Sequence, residues 1–239
     1  MIAGLSKAIN QYLAPLLALT SLLLVIFAYL APSVMLQTQV ALLTVTPSIS
    51  LTQPQGNGQS VDGPSIFLGA LGSCERPNNG AAVSCIPPTV SPKYDLSVLP
   101  SNAPNLLTAP TATTPAFIAV SLAFSIMFFL LFTFTALRSK LGKAGAFFDK
   151  PAVQRSTAWI GLMGFMIGLT SFLVIRMWFG KAVEDFNAAI LEGGQGSPQL
   201  VAATSNGFVM VYVAYAFYAV PLVCSLSKLH VTATATAKA

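Results

Sequence analysis

Two cysteines carry most of the chemistry open to this sequence. Cys74 and Cys85, with ten residues between them, sit in the only long polar stretch of a chain that is 54% hydrophobic and 8% charged. Two close thiols can form a disulfide, share a metal or stay free. No histidine or acid cluster accompanies them to complete a metal site. An oxidising compartment favours the disulfide, with two free thiols or a metal pair as the rival readings. Closing so short a loop is worth about 3 kcal/mol, mostly by restricting the unfolded chain. The third cysteine, Cys224, lies far along the chain in an apolar run. It reads as an ordinary buried small residue, with acylation as the alternative.

The remaining reactive inventory is thin. The single histidine is His230, near the C-terminus. Gly193-Gly194-Gln195-Gly196 follows no predicted strand and opens no phosphate-binding helix, so it reads as a flexible turn. No nucleophile, base and acid can be gathered on one side of a membrane, and no metal-ligand spacing occurs. The apolar runs lack the buried acids that ion carriers and proton relays use. The sequence therefore predicts no enzyme, no cofactor, no metal and no transporter acting alone. The twelve Lys and Arg are not interleaved with aromatics on a polar face, so no nucleic acid is expected as partner.

The elements that must position the cysteines are membrane spans. Soluble domains carry roughly 25% charged residues, and this chain has too few to cover a water-facing surface. A spanning helix needs about 20 apolar residues, and four segments qualify: 13–36, 116–137, 157–179 and 207–226. The first is longer than a signal-peptide core and no small-x-small cleavage site follows it, so it reads as an uncleaved span. Ile2, Leu5 and Ile9 ahead of it share a helical face opposite Lys7, which suits a lead-in lying at the interface.

Orientation follows from Lys and Arg near the span ends. The 138–156 segment holds Arg138, Lys140, Lys143, Lys150 and Arg155, and the termini add Lys7, Lys228 and Lys238. The other side holds Arg76, Lys93 and Lys181. The eight-to-three imbalance puts both termini and the 138–156 loop in the cytoplasm, with 37–115 and 180–206 outside. Within 37–115, Val40–Leu51 and Ser65–Gly72 read as strands, Gln53–Gly63 as turn, and Tyr94–Leu99 as a third short element. Asn102–Thr114 is rich in Pro, Thr and Ala and reads as extended. The region has too little core to fold alone. No N-x-Ser/Thr sequon occurs in either outer segment.

The third span has a packing signal. Gly161, Gly164, Gly168 and Ser171 fall on one helical face, and Gly164 with Gly168 makes a small-xxx-small pair. Such a face suits packing within the four-helix bundle, with a second protein or another copy as the alternative. Arg176 is the one charge inside a span, a turn from its outer end beside Trp178. Snorkelling to the interface explains it, and an ion pair with Glu184 or Asp185 is the alternative. The stripes Phe124, Phe128, Phe132 and Phe208, Tyr212, Tyr215 read as core or lipid contact, with sterol binding as the sharper hypothesis. The basic loop, with Phe147 and Phe148, should lie against anionic lipid headgroups at about 1 kcal/mol per basic residue.

These features make an all-α membrane protein: one four-span domain over 1–239 with a small disulfide-closed β-hairpin or sheet in its first outer segment. The plan is claudin-like. The residues Leu68-Gly69-Ala70-Leu71-Gly72-Ser73-Cys74, then Val83-Ser84-Cys85, then Lys93-Tyr94-Asp95-Leu96 resemble the fungal SUR/PalI family of four-span plasma-membrane proteins. The Gly-Leu-Trp of animal claudins is missing, and Ser73 stands where an aromatic is commoner in the fungal family. The resemblance implies a non-catalytic organiser of cortical membrane domains, of eisosome or pH-response type. The alternative is an accessory subunit of a receptor, transporter or cell-wall synthase. The expected partners are membrane lipids, with a sterol or an anionic lipid foremost, and another integral membrane protein or a second copy.

Overall fold

The computed structural model describes residues 9–48, 61–142 and 145–236. The expected interfacial lead-in over Ile2 and Leu5, the turn over residues 53–60, and Lys7, Lys143 and Lys238 lie outside them, as do the side chains of Lys228 and His230.

Four helices are long and apolar enough to cross a membrane: Gln11–Leu30, Thr113–Ala136, Pro151–Glu192 and Asn206–Ser227. The first opens with a π-helical turn, Ile9–Leu13, and continues as α1, Ala14–Leu30. It stops at Leu30 rather than at Leu36, because Pro32 denies the next turn an amide donor. Helix α2, Thr113–Ala136, starts with Pro115 in its first turn, where the missing N–H costs nothing. A 3-10 turn, Arg138–Lys140, and the short α3, Gly145–Phe148, follow.

Helix α4, Pro151–Glu192, has 42 residues, about 63 Å at 1.5 Å per residue. That is about twice what a bilayer core needs. It therefore overruns the expected 157–179 at both ends, and about half of the segment expected to connect the last two spans belongs to it. The overrun has its own periodicity: Ala182, Phe186 and Ile190 are spaced four apart and all are buried. Helix α5, Asn206–Thr236, carries Pro221 inside it.

Five short strands form one antiparallel sheet in the order β4-β3-β2-β1-β5. They are β1 Leu43–Pro47, β2 Ser65–Leu68, β3 Ser73–Arg76, β4 Ser84–Cys85 and β5 Leu200–Thr204. The two expected strands are present but shorter, and Tyr94–Leu99 is not a strand. Strand β5 was not legible beforehand. It pairs with β1 in the register Leu43↔Thr204 to Pro47↔Leu200. Every residue of β2 is buried, as befits the middle strand.

The chain divides into two compact units. One comprises Met1–Ile26, Phe117–Thr170 and Val211–Ala239; the other comprises Phe27–Ala116 and Ser171–Met210. The first has no strand among its described residues, with a core of Ala14, Phe128, Phe132, Tyr218 and Leu222, against which Cys224 packs. The second contains the sheet, with a core that includes Leu43, Val45, Ile66 and Leu68.

Candidate functional site

Two constellations deserve the name of site, one in each unit. In the sheet unit, Cys74 and Cys85 face each other across β3 and β4 and are joined as a disulfide. The Cys74 side is 1% exposed and packs with Ala41 and Phe67, while Val83 and Cys85 flank it. The Gly-rich approach to Cys74 has a steric reason. A Cβ on Gly69 would overlap the carbonyl of Ala31, and one on Gly72 would stand 2.9 Å from Ser33 Oγ. The strand connection thus presses on the chain that leaves α1, and only glycine lets it.

Tyr94 ties the following segment down. Its hydroxyl donates to Gly69 O at 2.8 Å, and its ring lies 6.4 Å from that of Phe179. Burial pushes its hydroxyl pKa up. The Asp95 N–H donates to Ser73 Oγ at 3.0 Å. The Lys93-Tyr94-Asp95-Leu96 motif is therefore a clasp over the start of β3 rather than a strand. Two carboxylates stand near each other here. Desolvation, and then the charge of Asp95, hold Glu75 above the usual glutamate range, while the backbone N–H of Ser97 holds Asp95 below its own. Glu75 Oε2 and Arg76 Nε are buried without a hydrogen-bond partner. The Arg76 guanidinium lies over Phe67 at 6.0 Å.

The outer edge of β5 is held by a side chain of α4. Asn187 Nδ2 donates to Ala202 O and the Ala202 N–H donates to Asn187 Oδ1, both at 2.9 Å. One amide side chain thus occupies both backbone groups of an edge residue, where an unpaired edge would invite other strands. Sequence reading missed Asn187, although the Ala182, Phe186, Ile190 period on the same helix could have shown that α4 continues this far.

In the helical unit the glycines of α4 form a seam. A Cβ on Gly161 would stand 2.5 Å from the Phe128 ring. One on Gly164 would meet Tyr218 Oη at 3.1 Å and Phe124 Cβ at 3.2 Å; one on Gly168 would overlap the Tyr215 hydroxyl and crowd Ser121 Oγ. The notches are thus filled by α2 and α5 of the same chain. Tyr218 donates to Gly161 O at 3.1 Å. Of the expected face, Gly161, Gly164 and Gly168 share this seam, whereas Ser171 is buried in the sheet unit. Phe124, Phe128, Tyr215 and Tyr218 line the seam itself.

The basic residues find local partners. Arg138 pairs with Asp149 at 2.8 Å, both exposed. Lys140 Nζ donates to the Tyr12 hydroxyl at 3.4 Å and lies over its ring, and Lys150 lies over Phe147 at 5.6 Å. Arg155 is exposed. Arg176 lies 5.4 Å over the Phe208 ring, with Nη1 beside the bare Gly180 backbone. The alternative ion pair of Arg176 with Glu184 or Asp185 is not formed among the described residues; Asp185 pairs with Lys181. Among the described residues no group of three or more His, Cys, Asp or Glu could hold a metal ion.

Compared with known proteins, the chain matches no family model, no curated protein and no solved structure.

Proposed function

We propose that this protein is a non-enzymatic organiser of plasma-membrane domains, a claudin-like four-span chain resembling the fungal SUR/PalI family. Both termini lie in the cytoplasm and the sheet unit lies outside. The observation that carries this reading is the sheet itself. It draws four strands from the connection between the first two membrane-crossing helices and a fifth from the connection between the last two, and a disulfide closes it. A disulfide suits an oxidising compartment, and the excess of Lys and Arg on the opposite connections agrees with that orientation. The exposed Arg138, Lys140, Lys150 and Arg155 suit anionic headgroups.

An accessory subunit would offer its partner the glycine face of α4. That face is filled by Phe128, Tyr215 and Tyr218 of the same chain, so such a partner would need another surface. The test is imaging of a tagged copy in its own cell, together with pull-down of a differently tagged second copy in mild detergent. Stable cortical patches and recovery of the second copy are expected. Uniform fluorescence over the membrane, with the chain purified alone, would overturn the proposal.

A further inference from the structure

Several hydroxyl side chains of the two units differ in exposure, and in the sheet unit those of Thr89 and Thr113 stay exposed although they donate to Ser91 O and Thr111 Oγ1. In the helical unit Ser121, Ser125, Thr135 and Thr157 are buried, each donating to a backbone carbonyl of its own helix. In the sheet unit two proline-flanked tracts expose theirs. From Pro104 to Thr111 the chain forms neither helix nor strand, and Thr108 and Thr111 are exposed beside Pro110, as is Thr113 at the first position of α2. Trp178 Nε1 donates to Thr108 O at 3.1 Å, which holds the backbone of this tract while the threonine side chain stays exposed. The second tract, Pro87-Pro88-Thr89-Val90-Ser91-Pro92, also lacks regular structure, and Thr89 and Ser91 are exposed.

We infer that these two tracts are acceptor sites for O-linked sugar. Prolines keep the backbone out of helix and sheet, which the two tracts show. An exposed Ser/Thr-Pro tract outside helix and sheet has the composition of an O-glycosylated segment, and its hydroxyls are open to a transferase. The chemistry is a glycosyl transfer. The threonine or serine oxygen attacks the anomeric carbon of an activated sugar, supplied as a nucleotide sugar or a polyprenyl-phosphate sugar. The new C–O bond forms as the bond from that carbon to the phosphate oxygen breaks. The phosphate departs with the electron pair, and the hydroxyl proton passes to a base of the transferase. With no N-x-Ser/Thr sequon in either outer segment, these tracts would be the sugar-bearing part of the surface. Their place in the sheet unit would put that sugar beside the disulfide-closed strands.

The inference rests on the orientation proposed above, so the experiment separates the two. The full chain is purified from its own cell and its mass is measured intact and by peptide mapping. A parallel variant, Gly80→Thr, turns the exposed Asn78-Asn79-Gly80 turn into an N-linked acceptor; a Cβ there meets only Asn78 Oδ1, at 3.7 Å. The expected result is whole-sugar mass increments on both tracts. They should disappear in the variant Thr89→Ala, Ser91→Ala, Thr108→Ala, Thr111→Ala, Thr113→Ala, while Gly80→Thr gains N-linked sugar. Bare tracts in a chain whose Gly80→Thr variant does gain N-linked sugar would overturn the inference and leave the orientation standing. Bare or phosphorylated tracts with no sugar on the Gly80→Thr variant would overturn both.

Discussion

The glycine seam of the helical unit and the clasped sheet of the other unit solve the same problem with different physics. The seam is held by shape. Gly161, Gly164 and Gly168 remove side chains so that Phe128, Tyr215 and Tyr218 can fill the space, and the Tyr218 hydroxyl bonds Gly161 O. In lipid, apolar side chains gain nothing by leaving one apolar medium for another, so close approach and a few hydrogen bonds must do the work. The sheet is held by ladder bonds, a covalent link and two side-chain ties, Tyr94 to Gly69 and Asn187 to Ala202. Strands of two to five residues bury little area, and a sheet that small needs constraint beyond its own core. Glycine serves both regions, but as a socket for rings in one and as a pass for crossing backbone in the other.

That contrast can be broken, and the largest expected effect is on the disulfide. Cys74→Ser with Cys85→Ser should cost the sheet unit about 3 kcal/mol, a rise of about a hundredfold in amide exchange over β2–β4. Amides of the Gly161–Gly168 stretch should keep their rates; if they quicken equally, the two regions are not held independently. Next, Gly168→Leu should destabilise the helical unit by about 1–3 kcal/mol through overpacking against Tyr215 and Ser121. Thermal unfolding in detergent reads this, with Gly196→Ala as the silent control, since a Cβ there meets nothing within 4 Å. A Gly168→Leu protein as stable as its parent would mean that shape does not hold the seam.

Asn187→Ala leaves the Ala202 N–H and C=O without their partner, at about 1–3 kcal/mol. Faster exchange should be confined to β5 and β1, and exchange spread over the whole sheet would show that the clamp is not local. The smallest effect is a pH dependence confined to the sheet unit. The folded chain holds the Glu75 proton more tightly than the unfolded chain, whose value is near 4.5. Stability therefore falls as pH rises from 4.5 through the raised folded value. Asp95, held below 3.8, contributes the opposite slope, losing stability as pH falls below that value. Glu75→Gln should remove the upper slope and leave the lower one, as followed by sheet unfolding against pH. An unchanged upper slope would assign it elsewhere.

Much of this was legible in the residues. Four apolar runs gave four helices because a run of about 20 uncharged apolar residues has no other stable home in a bilayer than a helix. The cysteine pair was legible because two thiols so close in sequence need only a tight turn to meet. The glycine face was legible as a face, but its occupant was not, since nothing local says that Tyr215 and Tyr218 lie opposite. Strand β5 escaped because Leu200–Thr204 is short and only weakly alternating. The long reach of α4 is not marked by hydropathy, which falls after Phe179 as charged residues enter, and only the spacing of Ala182, Phe186 and Ile190 carries the helix on.

The amino-acid sequence alone determined which stretches are helical and apolar, which thiols can meet and where glycine is required. Those properties depend on the composition and spacing of neighbouring residues. Tertiary structure alone decided that β5 joins β1, that Asn187 seals the edge, and that the glycine notches take rings from the same chain. Each of those depends on groups remote in sequence, such as Val45 and Ala202 or Gly168 and Tyr215, and local propensity carries no information about which distant residue will fill a given space.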